Sequence, residues 1–250
     1  MTVERSHAPA TRESFGHFAS KFAKTLASAL LPGAISGFFA FGLGSRLAMR
    51  VMAATSGPEA QGLRTEADEI VGRITFEGSM FLIVAGTVIG AGAGLVYLVI
   101  KPWLPKQRWK RTAIFCAVML ALVGRTLVDS NNRDFDILSP AALAVAMFTV
   151  MPLLYGALFV QLYDRIEPFM MKQRSRWVNV GLVVPCLLPL ALGGPVSLVL
   201  LPLLMLMGWT LSGSSPIRGN RSGQMVGRAL LGGGVAVGIT LIAISVVEIL

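Results

Sequence analysis

Apolar residues fill six long stretches of this chain, near residues 25–52, 78–100, 112–128, 139–163, 177–209 and 225–249, with the charged residues gathered mainly in the gaps. No strand-type alternation runs through them, so the pattern predicts helices. About 20 apolar residues are enough to cross a hydrocarbon core of about 30 Å. The expected fold is an all-α, polytopic transmembrane helix bundle, with 25–250 as one membrane domain and 1–24 as a polar tail.

The fifth stretch departs from the pattern. A single helix over Trp177–Trp209 would run roughly 50 Å, too long for one crossing. Gly193-Gly194-Pro195 is a turn signal, and Pro185, Pro189 and Pro202 interrupt the two halves. Two short helices, 178–192 and 196–211, are expected. They either span as a hairpin, giving about seven helices, or form a re-entrant hairpin beside five full crossings. Pro152 predicts a kink in the fourth crossing. Before the first, Phe15, Phe18 and Phe22 share a helical face flanked by Lys21 and Lys24. That segment reads either as a short amphipathic helix on an anionic leaflet or as a plain extension of the crossing. A cleaved signal peptide is not expected, because Arg46 and Arg50 interrupt the apolar region and the segment is too long.

Composition agrees with a membrane-embedded chain: mean hydropathy is +0.69 and only 14% of residues are charged. A net charge of +9 would suit nucleic acid, but the basic residues sit beside helix exits, so no nucleic-acid partner is expected. Lys101, Lys106, Arg108, Lys110 and Arg111 follow the second crossing; Arg165, Lys172, Arg174 and Arg176 follow the fourth. The gap after the first crossing instead carries Glu59, Glu66, Asp68, Glu69 and Glu77 against Arg64 and Arg73. Positive loops lie inside, which predicts a cytoplasmic amino terminus in a multi-pass inner-membrane protein of bacterial type. Trp103, Trp109, Trp177 and Trp209 all fall at the predicted cytoplasmic interface.

Gly86, Gly90 and Gly94 form a small-residue stripe on the second crossing, echoed by Gly33 and Gly37 in the first and Gly234 and Gly238 in the last. Such stripes let helix backbones approach closely. The contact is read as intramolecular, with a homo-oligomer through Gly86, Gly90 and Gly94 as the alternative. The exits of the second and fourth crossings also align without gaps: Tyr97 through Arg108 against Tyr163 through Arg174, with Tyr, Ile, Pro, Lys, Gln and Arg in common. Two copies of one helix hairpin, related by an axis along the membrane normal, would produce this. So would two independent ways of ending and anchoring a helix.

Candidate chemistry is sparse. A charge at mid-membrane costs about 2.5–3.5 kcal/mol on insertion scales, so ionisable groups inside crossings are candidates for function. Arg46 and Arg50 lie on one face near the outer end of the first crossing, Glu77 starts the second, and Arg125 and Asp129 end the third. Together these five residues form the candidate ligand site. Arginine forks suit phosphate or carboxylate, hence an anionic lipid or a small anionic solute. Snorkelling arginines with paired acids would give the same sequence. Residues 129–136 are oxygen-rich but lack EF-hand spacing, and Asp and Asn there suit helix-capping turns. His7 and His17 precede the bundle and Cys116 and Cys186 read as core residues, so no metal, cofactor or catalytic constellation is expected. The favoured function is a small transporter or permease-like protein. The alternatives are an enzyme acting on a lipid-linked anion at the outer interface and a non-catalytic membrane scaffold or partner subunit.

Overall fold

The computed structural model describes residues 10–57, 62, 75–124, 140–172 and 221–249. Among them there is no strand. The first helical run comprises α1 (Ala10–Gly37), a π-helical segment (Phe38–Leu43) and α2 (Gly44–Thr55). It is unbroken from Ala10, so Ser14–Lys24 is the leading part of the same helix. α3 spans Phe76–Ile100 and closes in a 3-10 turn, Lys101–Trp103. α4 (Arg108–Met119) passes into a second π-helical segment, Leu120–Gly124. α5 spans Ala141–Lys172 and α6 Arg221–Ile249.

Among the described residues, four helical runs are long and apolar enough to cross a bilayer: Ser20–Thr55, Phe76–Trp103, Ala141–Lys172 and Gly223–Ile249. They make this a membrane-embedded protein. The expected third crossing is described only as far as Gly124, and the proline-broken helices at 178–192 and 196–211 lie outside the described residues.

Two helix boundaries follow from local chemistry. Thr75 caps α3, its hydroxyl accepting from the Gly78 amide at 3.2 Å, which satisfies one of the unpaired donors of a first turn. α5 does not stop at Tyr163, where the apolar stretch ends; it continues through Pro168 to Lys172. A proline inside a helix deletes one backbone bond, and the extension places Asp164 and Glu167 on an ordered helical face.

Glycines set the packing of α1 on α3. A Cβ built at Gly90 would lie 2.5 Å from both the Gly33 carbonyl oxygen and the Gly37 Cα. One at Gly94 would meet the Ala29 carbonyl oxygen at 2.5 Å, and one at Gly86 the Gly42 nitrogen at 2.5 Å. The backbones touch directly, the geometry that small-residue stripes permit. Gly86, Gly90 and Gly94 are thus buried against the chain's own first helical run. α5 packs on both α1 and α4, and its close approach to α4 is at Gly156, where a Cβ would lie 2.9 Å from the Cα and Sγ of Cys116. α6 leans mainly on the second π-helical segment. Gly238 packs there against Ala121, whereas a Cβ at Gly234 would meet nothing within 4 Å among the described residues. Among the described residues, the expected packing stripe on the last helix is thus half used.

Candidate functional site at the basic end of the bundle

α5 carries Tyr155, Phe159, Tyr163 and Glu167 at four-residue spacing, so all four lie on one helical stripe. α3 matches it with Gly90, Gly94, Tyr97 and Lys101. The two stripes face each other across the interior. Tyr97, Phe115, Tyr155, Phe159 and Tyr163 are wholly or almost wholly buried. Tyr97 meets Phe115 at 5.0 Å between ring centroids, Phe159 at 5.0 Å and Tyr163 at 4.8 Å. Phe41, from the first π-helical segment, stacks on Tyr155 at 5.1 Å. The Tyr155 hydroxyl donates to the Gly90 carbonyl at 2.7 Å, a tie between α5 and α3.

A charged layer lies next to the rings. Lys101 Nζ donates to Glu167 Oε1 at 2.5 Å and to the Tyr163 hydroxyl at 2.9 Å, and it sits 4.8 Å from the centre of the Tyr163 ring. The Tyr163 hydroxyl in turn donates to Glu167 Oε1 at 2.9 Å. Arg111 Nη2 donates to both carboxylate oxygens of Asp164 at 2.6 Å, and Arg108 Nε lies 3.4 Å from Oδ2. The Lys101 and Glu167 side chains keep 33% and 29% of their exposure. Solvent screening therefore holds such a pair to about 1 kcal/mol. Two buried donors in this layer, the Tyr97 hydroxyl and Arg111 Nε, have no acceptor among the described residues. Leaving a buried donor unsatisfied costs about 1–3 kcal/mol.

The candidate ligand residues read from the sequence are only partly brought together. Arg46 and Arg50 sit on α2 immediately after the first π-helical segment. Arg46 turns its Nε and Nη2 inward, whereas Arg50 is exposed. By the helical rise, Arg46 lies roughly 33 Å along the chain from Lys24, a membrane thickness away from the basic end. Glu77 is exposed in the first turn of α3, and among the described residues no ion pair joins it to either arginine. Arg125 and Asp129 lie outside the described residues. Among those described, no cluster of His, Cys, Asp and Glu suits a metal ion.

Sequence reasoning read the Tyr97–Arg108 and Tyr163–Arg174 segments as two copies of one hairpin or as independent helix-end anchors, and missed that Lys101 pairs with Glu167 and Tyr97 with Tyr163. One signal was present in the alignment: Lys101 falls opposite Glu167, a reversal of charge at matched positions. Comparison of the chain with protein-family models, curated proteins and solved structures returns no match.

Proposed function

We propose that the protein is a small permease-like transporter, with the basic end of the bundle as an inner gate and the arginines of the opposite end selecting an anionic solute. The observation that carries this reading is a contrast in packing. Within the first helix pair, α1 meets α3 backbone against backbone at Gly33, Gly37, Gly86 and Gly90. Between the pairs, α3 meets α5 through side-chain contacts: Lys101 with Glu167 and Tyr97 with Tyr163 at the basic end, and deeper in the bundle Tyr155 with the Gly90 carbonyl. Packed side-chain interfaces can switch between discrete arrangements, whereas interdigitated backbones move as one body.

Further features support it. The unsatisfied Tyr97 hydroxyl and Arg111 Nε are donors that a transiting anion would satisfy. The π-helical segments, single-turn distortions common at working sites, lie just before Arg46 and Arg125. The hairpin repeat gains support from register. Lys101 and Glu167 are 66 residues apart, and the same offset relates Tyr97 to Tyr163 and Gly90 to Gly156. Matched residues that touch each other imply an axis between the two copies, the arrangement of parallel transporter repeats. In this reading the basic loops are cytoplasmic, and the chain crosses the membrane seven times, or five with a re-entrant hairpin.

The test uses purified full-length protein in liposomes, with Cys116 and Cys186 replaced by Ala and cysteines placed at positions 101 and 167. Uptake of labelled inorganic phosphate and succinate is measured before and after disulfide formation. Faster uptake than in protein-free vesicles, blocked by oxidation, restored by reductant and weakened by Arg46→Gln, is expected. Absence of uptake for both anions, or uptake indifferent to the cross-link, refutes the proposal.

A further inference from the structure

Among the described residues, α6 makes its closest backbone approaches to the bundle at two glycines, with Leu231 and Val235 packed on the core between them. Near its amino-terminal end, Gly227 lies under the indole of Trp103, and eleven residues later Gly238 lies on Ala121. The helical rise separates these points by roughly 16 Å. In the interval, a Cβ at Gly232, Gly233 or Gly234 would meet nothing within 4 Å among the described residues. Two grooves open there, on either side of Trp103, Leu231 and Val235. One, of about 470 Å³, runs between α4 and α6. The other, of about 340 Å³, runs between the end of α3, the second π-helical segment and α6.

The walls are almost entirely apolar, but the first groove has a charged mouth. Lys110 from α4 and Arg228 from α6 both line it, beside Trp103. These two cations come from different helices, both are exposed, and among the described residues neither has an acidic partner. A slot of hydrocarbon character that ends in two cations and an interfacial indole is complementary to one kind of molecule. We infer that the groove between α4 and α6 binds an anionic phospholipid, with an acyl chain along Ile114, Leu231 and Val235 and the phosphate between Lys110 and Arg228. Basic recesses between membrane helices recognise lipid headgroups in this way. Gly232 lines this groove and contributes no side chain to it, so a larger residue there would narrow the slot. This inference is independent of the transport reading: the groove lies outside the aromatic layer and shares no residue with the Lys101–Glu167 gate.

The experiment is native mass spectrometry of the detergent-purified full chain, titrated with phosphatidylglycerol or with chain-matched phosphatidylcholine. Two cations near a headgroup, each contributing a little under a tenfold factor, predict a preference of about 30-fold for the anionic lipid. In Lys110→Gln/Arg228→Gln the preference should fall to near unity. Gly232→Leu, at a position with open space around it, should lose retention of both lipids while keeping its circular dichroism spectrum. Phosphatidylglycerol with brominated chains provides a second readout: the quenching it causes should be smaller in Trp103→Phe than in the wild type. Equal retention of the two lipids by the wild type, or an unchanged preference in the double variant, overturns the site. Quenching that does not change in Trp103→Phe also overturns it and means that the protein itself fills the groove.

Discussion

Replacing Gly90 by Ala adds one methyl group where two backbones meet, and its cost follows from the geometry. The new Cβ would stand 2.5 Å from the Gly33 carbonyl oxygen and 2.5 Å from the Gly37 Cα, about 1 Å inside ordinary van der Waals contact. Both neighbours are backbone atoms, so no rotamer change relieves the clash and α1 must move off α3 by about that amount. Overpacking of this kind costs about 1–3 kcal/mol. The shift also strains the Tyr155 hydroxyl bond to the Gly90 carbonyl, and an interhelical hydrogen bond in a membrane contributes about 0.6 kcal/mol and at most about 1.7. The expected loss is about 2–4 kcal/mol, measured by reversible unfolding in mixed detergent micelles with helicity as the signal. Gly232→Ala is the control, since open space surrounds that position, and Tyr155→Phe isolates the hydrogen bond. Should Gly90→Ala unfold within about 0.5 kcal/mol of Gly232→Ala, the range of ordinary surface substitutions, direct backbone contact between α1 and α3 is refuted.

Asp164→Asn should destabilise by about 1–3 kcal/mol, because Arg111, its side chain only 19% exposed, loses a carboxylate bound through both oxygens; the same micelle titration measures it. Lys101→Glu should cost more than Lys101→Met by setting two carboxylates together. The exchange Lys101→Glu/Glu167→Lys should recover most of the loss, and a double-mutant cycle reads the coupling at about 1 kcal/mol. Gly238→Leu should lift α6 off Ala121, seen as easier proteolytic release of the carboxyl-terminal segment, with Ala121→Gly giving partial rescue in Gly238→Ala. Single cysteines beside Lys106 and Lys172 should react with impermeant thiol reagents only after cells are opened; labelling in intact cells would reverse the proposed orientation.

Helical character, the apolar spans and the glycine stripe of α3 were legible in the sequence, because each depends on local pattern: length, hydropathy and four-residue spacing. Gly86, Gly90 and Gly94 lie on one face by helix geometry alone, but only packing shows that Gly33, Gly37 and Gly42 lie on the other side of it. An equal spacing in α6 gave the same expectation for Gly234 and Gly238, and there tertiary structure used one and left the other facing a groove. Both π-helical segments escaped notice because inserting one residue into a turn leaves no mark in apolar periodicity. Gly156 stands alone in α5, so no stripe announced its contact with Cys116. The charged layer shows the division most clearly. Residue types and register at Tyr97, Lys101, Tyr163 and Glu167 are written in the chain, yet their pairing across 62–66 residues arises only when two helices are brought together. Local chemistry fixes what each segment is, whereas the partners of a side chain are decided by which helix faces it, a long-range choice that spacing along the chain does not encode.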